Sequence, residues 1–221
     1  MNKYPVIAID GPSASGKGTV AQLVADKLGF LYLDSGALYR IVAYAAKQKN
    51  IAWSDALGVT ECAKTLIIEF IGEQVLLNKQ DVSNEIRTEE IGKGASQVAV
   101  HAPLRAALVD MQHGFCKAPG LVADGRDMGT VIFPNAPLKI FLTASTETRA
   151  QRRYKQLIGK NQSANYDNIL QDLSDRDARD KNRASAPLVM ADGAILLETD
   201  HLGISDAVDF ILQKYQLTFS K

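Results

Sequence analysis

The sequence predicts an α/β fold, with a five-stranded parallel sheet flanked by helices. Three observations carry that expectation. Short apolar runs recur near residues 4–9, 30–33, 121–123, 138–142 and 194–197. Helical periodicity separates most of them, and a glycine-rich turn follows the first run directly.

Tyr4 to Ile9 is a β-branched, apolar stretch bounded by Asp10-Gly11-Pro12, as a buried strand should be. A helical pattern follows, with Val20, Leu23, Val24 and Leu28 expected on its inner face and Gly29 as its stop. Phe30-Leu31-Tyr32-Leu33 reads as a second strand, after which Asp34-Ser35 can cap a helix from Ala37 to about Lys47. Leu121-Val122-Ala123, Leu138 to Leu142 and Ala194 to Leu197 supply the remaining core strands. Two stretches break the rhythm. Residues 65–85 predict a small hairpin, Leu66 to Ile71 and Gln74 to Leu77 about a turn near Gly72. Residues 149–183 are polar and carry nine basic side chains against five aspartates.

At 221 residues, one α/β domain with insertions is the expected arrangement. The chain is 46% hydrophobic and 23% charged, which suits a sizeable core and excludes a mostly disordered chain. Twenty-five basic and 25 acidic side chains cancel, so the basic excess typical of a duplex-binding protein is missing and no nucleic-acid partner is expected. Cys62 and Cys116 lie far apart, without metal-ligand spacing, and read as reduced thiols. No apolar run reaches the ~18 residues of a membrane span. The run Pro5 to Ile9 stops at Asp10, too soon for a signal peptide, so a soluble, cytoplasmic protein is expected.

The strongest chemical signal is Gly11-Pro12-Ser13-Ala14-Ser15-Gly16-Lys17-Gly18-Thr19, lying between a strand and a helix. Glycines let successive backbone N–H groups turn toward phosphate oxygens, and the helix N-terminus and Lys17 add positive charge near the β- and γ-phosphates. The loop reads as a nucleoside triphosphate site. Gly18 stands where a Ser or Thr usually follows the lysine, and the hydroxyl comes one residue later, on Thr19. Asn78-Lys79-Gln80-Asp81 matches the guanine-reading signature of GTPases but lies about 60 residues after Lys17, inside the expected hairpin, and reads as a turn.

Seven of the ten arginines lie at or after Arg126. Arginine's planar fork matches phosphate oxygens and keeps its charge, which suits a phosphoryl-transfer site. Arg149 shares a helix face with Arg152 and Arg153, and the side chains of that later pair are expected to be solvated in the open state. Asp124-Gly125-Arg126-Asp127 ends an apolar strand, so Asp124 sits where a carboxylate would hold a hydrated Mg²⁺, together with the Thr19 hydroxyl. Arg126 and Asp127 project from the loop above the sheet, where open α/β folds bind ligands.

The chain resembles the bacterial cytidylate kinases, a branch of the nucleoside monophosphate kinases. The likeness rests on Ile9-Asp10-Gly11-Pro12 through Thr19, Leu33-Asp34-Ser35-Gly36-Ala37-Leu38-Tyr39-Arg40 and Asp81-Val82-Ser83 with Glu85-Ile86-Arg87-Thr88. Ala95-Ser96-Gln97-Val98-Ala99, Ala123-Asp124 through Gly129-Thr130, and Arg176-Asp177 through Asp180-Lys181-Asn182-Arg183 complete it, from residue 6 to about 190. One local departure is the pair Gly92 and Gly94, which predicts a weakened helix around Ser96.

The resemblance implies a single P-loop kinase domain spanning residues 1–221. It would comprise a monophosphate-binding region at about 35–100, with the hairpin insert at 65–85, and a lid at about 149–183. It implies transfer of the γ-phosphoryl group of ATP to CMP or dCMP with Mg²⁺, by a monomer. Residues 11–19 would hold ATP. Ser35, Ser96, Arg105 and Asp127 would surround the cytosine, and Arg40, Arg126 and Arg183 would clamp the acceptor phosphate. Arg176 and Asp180 would hold the sugar hydroxyls, and Arg149, Arg152 and Arg153 would belong to the lid. Lys17, Arg126, Arg152, Arg153 and Arg183 would be catalytic, with no nucleophilic side chain, since phosphoryl transfer needs positioning and charge neutralisation. His101, His113 and His201 read as structural or surface residues. A kinase for UMP or another monophosphate, and a GTP-binding switch, are the competing readings.

Overall fold

The computed structural model describes residues 4–71, 74–159 and 161–219. The chain divides into two compact units, Asp34–Gln112 and the remainder, Met1–Leu33 with His113–Lys221.

The larger unit is built on a five-stranded sheet, whose strands in chain order are β1 (Val6–Asp10), β2 (Leu31–Asp34), β6 (Leu121–Gly125), β7 (Leu138–Thr143) and β8 (Ile195–Glu198). Their order across the sheet is β2-β6-β1-β7-β8, with parallel pairing at β1–β6, β1–β7 and β7–β8. Every residue of β1 and β6 is buried, as expected of central strands covered on both faces. Helices α1 (Lys17–Leu28), α6 (Thr146–Gly159), α7 (Tyr166–Asn182) and α8 (Ile204–Phe219) belong to this unit. Its core joins Ile7, Ile9, Val122, Ile140 and Leu142 of the sheet to Val20, Val24 and Ile211 of the helices.

Helix α1 differs from its expected face. Val20, Ala21, Val24 and Ala25 form its buried stripe, while Leu23 is exposed. The two alanines, too weakly apolar to mark a face on their own, rotate the packed stripe by about one position. The strands match expectation within one or two residues at each end, the usual uncertainty of element boundaries.

The smaller unit holds α2 (Ser35–Gln48), α3 (Ala56–Lys64), α4 (Glu89–Val98) and most of α5 (Ala102–His113). Asp34 caps α2 by accepting from the Ala37 N–H at 2.9 Å. Strands β3 (Ile68–Ile71), β4 (Gln74–Leu77) and β5 (Gln80–Asp81) make an antiparallel sheet, one strand more than the expected hairpin. The turn expected near Gly72 lies outside the described residues. Asn78 and Lys79 both take positive φ, 50° and 69°, between the paired Leu77 and Gln80. That is a two-residue hairpin turn, so the GTPase-like tetrapeptide is a reversal of the chain.

Helix α4 runs unbroken through Gly92 and Gly94, against the weakening that two glycines predict. A Cβ at Gly92 would lie 2.9 Å from Arg40 Nη2, and one at Gly94 would lie 2.5 Å from the Trp53 ring. Both glycines are there for close approach. Among the described residues, no helix is long and apolar enough to cross a membrane.

Candidate active site

Strand β1 delivers the chain into the phosphate loop, 11–16, and α1 carries it away. A Cβ on Gly11 would fall 1.9 Å from the Leu142 carbonyl oxygen, so only glycine allows the loop to start against β7. Gly16 caps α1 at φ 89°, a left-handed conformation that favours glycine, and offers no side chain to the first N–H groups of the helix. A helix N-terminus left this way suits an anion.

The carbonyl side of the loop is held by side chains. Ser15 Oγ donates to the Pro12 carbonyl at 3.1 Å, and Lys17 Nζ donates to the same oxygen at 3.3 Å. Arg149 Nη1 donates to the Ser13 carbonyl at 3.1 Å, and Arg152 Nη1 to the Ser15 carbonyl at 3.2 Å. Arg152 also donates to both oxygens of Thr199. In this structure Arg152 is therefore hydrogen-bonded and part-buried rather than solvated. Arg153 donates to Gln156 Oε1 at 2.7 Å, in an exposed contact.

Strand β6 ends at the second cluster of the larger unit. Arg126 Nε donates to Asp180 Oδ2 at 2.8 Å, and its Nη2 donates to Ser13 Oγ at 2.6 Å. Arg183 Nη1 lies 3.9 Å from Asp180 Oδ1. Burial pushes the Asp180 carboxyl up, but Arg126, helped by Arg176 and Arg183, outweighs it and holds the group below the ordinary carboxylate range. Asp127 is buried beside this cluster in sequence, at 2% exposure. Asp124 is buried too, and a Cβ on Gly18 would lie 3.4 Å from its Oδ2. The carboxylate thus borders the loop at the position where the absent hydroxyl of residue 18 would stand, while Thr19 is exposed.

In the smaller unit, Arg40 Nη1 donates to the carbonyls of Ile86 and Thr88, at 2.8 and 3.3 Å. Ser35 Oγ donates to Gln112 Oε1 at 2.8 Å. The Arg105 guanidinium lies 5.4 Å from the centre of the Tyr39 ring and donates to the Ala99 carbonyl. Ser96 Oγ is buried with no hydrogen-bond partner among the described residues. The predicted site residues therefore fall into two sets. Residues 11–19, Asp124, Arg126, Asp127, Arg149, Arg152, Arg153, Arg176, Asp180 and Arg183 lie in the larger unit, and Ser35, Arg40, Ser96 and Arg105 in the smaller.

Sequence reasoning gave no role to Asp10 or Asp177. Asp10, the last residue of β1, accepts from the N–H groups of Met128 and Gly129, both at 2.8 Å. Burial, the largest influence, raises its carboxyl to about 6, against those two N–H groups; Asp127 adds to the rise and Lys17 opposes it. A charged residue closing an otherwise apolar strand was the available signal. Asp177 grips Arg149 and stands one helical turn before Asp180, a spacing visible in the sequence.

The sequence profile of the cytidylate kinase family matches residues 7–217. A cytidylate kinase of Polynucleobacter asymbioticus is 56% identical, over 98% of this chain and 98% of its own. One from Burkholderia multivorans is 58% identical, over 96% and 93%, and one from Chromobacterium violaceum is 56% identical, over 96% of each. Among solved structures, TT1252 from Thermus thermophilus shares the fold at a TM-score of 0.50 and 18% identity, over 98% of this chain and 99% of its own. Matched over residues 7–217 by that profile and at 56–58% identity by these relatives, the chain belongs to the cytidylate kinase family.

Proposed function

We propose that this chain transfers the γ-phosphoryl group of ATP to CMP or dCMP, giving ADP and CDP or dCDP, with the phosphate loop as donor site. The observation that carries the reading is the loop itself, with its carbonyls engaged by Lys17, Arg149 and Arg152 and an N-cap of α1, Gly16, that has no side chain to occupy the first N–H groups. Its N–H groups are the ones left for the donor phosphates. Lys17 exchanges its contact with Pro12 for the β- and γ-phosphates.

The acceptor phosphate is clamped by Arg40, Arg126 and Arg183, and the ribose hydroxyls by Arg176 and Asp180. Ser35, Ser96, Arg105 and Asp127 read the cytosine. The orphaned Ser96 hydroxyl supports this, since a buried polar atom without a partner is costly until a ligand supplies one. Residues from about 35 to 100 act as the monophosphate-binding region and about 149–183 as the lid. Closure would exclude water, the competing acceptor. An acceptor-phosphate oxygen attacks the γ-phosphorus in line as ADP leaves, and charge neutralisation by Lys17, Arg126, Arg152, Arg153 and Arg183 lowers the barrier.

Asp124 and Thr19 are hard oxygen donors, and the Asp124 carboxylate borders the loop at Gly18, so the pair fits a hydrated Mg²⁺. Held there, Mg²⁺ would supply charge neutralisation for the donor phosphates. A charge balance of zero supports small nucleotides rather than nucleic acid as partners, and we read the protein as a cytoplasmic monomer.

A coupled assay offering ATP or GTP with each nucleoside monophosphate tests the reading. Turnover that requires CMP or dCMP, with ATP as donor, is expected. GTP preference without acceptor-dependent turnover would overturn it.

A further inference from the structure

The Arg149 side chain is 3% exposed and makes five hydrogen bonds. Nε donates to the Ala144 carbonyl at 3.0 Å, and Nη2 to Thr146 Oγ1 at 2.9 Å. Asp177 takes two more, 3.1 Å from Nη1 and 2.5 Å from Nη2, so both of its oxygens face the guanidinium. The fifth runs from Nη1 to the Ser13 carbonyl, at 3.1 Å. Arg149 is therefore spent inside the protein, which does not suit a group that sweeps onto a transferring phosphoryl.

Its attachment point explains what it does instead. A peptide unit is planar and trans, so fixing the Ser13 carbonyl fixes the Ala14 N–H on the opposite side. Ala14 takes a left-handed backbone, φ 59°, which a non-glycine residue holds only where its surroundings require it. A guanidinium donating to the preceding carbonyl is such a constraint. A guanidinium on a carbonyl is held best when its other donors are committed to a carboxylate, since bidentate pairing fixes both its plane and its charge.

We propose that Asp177 is a positioning residue for the phosphate loop. Acting through Arg149, it keeps the Ser13–Ala14 peptide turned so that the Ala14 N–H faces the donor phosphates. The proposal rests on residues 11–19 being the ATP loop. It separates Arg149 from its helix neighbour Arg153, whose hydrogen bond to Gln156 is exposed and leaves it available for the phosphates. Asp180, one turn further along α7, serves Arg126 in a parallel way, but that arginine meets the Ser13 hydroxyl rather than its carbonyl.

The test is equilibrium titration of Asp177→Asn with ADP alone and with CMP alone, well below its melting temperature. Asparagine keeps the shape and one acceptor oxygen but loses the charge. ADP should bind about tenfold more weakly, with the CMP dissociation constant within about twofold of the unaltered protein. Arg149→Lys, which keeps the charge but cannot bridge, should give the same split. Combining the two should weaken ADP no further, because both remove one relay. Unchanged ADP binding in a folded Asp177→Asn, or equal weakening of ADP and CMP, would overturn the proposal. Failure of both single variants to fold would do so as well, since the pair would then serve stability alone. ADP titration needs no turnover, so a lack of CMP-dependent activity in the unaltered protein would count against the kinase reading and not against this one.

Discussion

The phosphate loop of the larger unit and Ser96 of the smaller one treat their polar groups in opposite ways. In the loop, the carbonyls of Pro12, Ser13 and Ser15 all accept from side chains, and the Ser13 hydroxyl accepts from Arg126. The Ser96 hydroxyl is buried and unsatisfied among the described residues. On the proposed reading, the contrast teaches how phosphate and base would be recognised. Phosphate would be met by backbone N–H groups that the fold aligns beforehand, so most of the ordering cost would fall on folding. A base edge would be met by side chains, with the hydrogen-bonding capacity of Ser96 kept for the ligand.

Breaking the prealigned side should have the largest effect. Lys17→Ala removes a full charge from the place where transition-state charge develops, and kcat should fall on the order of 10²–10³-fold. Steady-state kinetics on a folded variant checks this; near-normal turnover would show that the backbone alone carries the donor site.

Asp10 probes the same side through pH. Its carboxyl is raised from 3.8 to about 6, mainly by burial, so the folded protein binds that proton more tightly than the unfolded chain. The stabilisation from protonating it is complete below about pH 4 and is lost as pH rises through about 6. A rise from 3.8 to about 6 corresponds to at most about 3 kcal/mol. Asp10→Asn cannot titrate, so the stability of the unaltered protein relative to this variant should rise as pH falls from 7 to 4. Denaturant midpoints for both proteins across that range check the sign. A constant difference would mean that Asp10 titrates as it does in the unfolded chain.

The smallest effect belongs to the waiting side. Ser96→Ala removes one neutral hydrogen bond to the ligand, worth about 1 kcal/mol. The KM for CMP should rise about fivefold while that for ATP stays put. The folded protein should lose no stability, because the hydroxyl it deletes has no partner to leave behind. A drop in melting temperature would contradict the orphaned state.

How far the sequence foretold all this depended on distance along the chain. The phosphate loop was legible because its glycines, its lysine and the flanking strand and helix are contiguous. The Asn78-Lys79 reversal was legible for the same reason. The inner face of α1 was misjudged because Ala21 and Ala25, small enough for close packing, displace Leu23 from the core. The tight seat of Gly94 against Trp53 joins positions that no periodicity connects. Arg149 and Asp177 stand 28 residues apart, and nothing local marks Arg149 as the buried member of a cluster whose neighbour Arg153 makes an exposed contact.

The claim that base recognition rests on hydrogen-bonding side chains is tested most directly by comparing CMP with UMP. Cytosine presents an exocyclic amine beside its N3 and O2 acceptors, whereas uracil presents O4 and an N3–H. Uracil would set an oxygen against the Asp127 carboxylate and an N–H against the donors Arg105 and Ser96. Sites built on such bonds reject a mismatched ligand by up to about 10⁴–10⁵-fold, and water entering an open pocket lowers that figure. The unaltered protein, assayed with saturating ATP, should therefore favour CMP over UMP by at least about 10²-fold in kcat/KM. Equal use of the two would contradict the account and leave a general pyrimidine monophosphate kinase in its place.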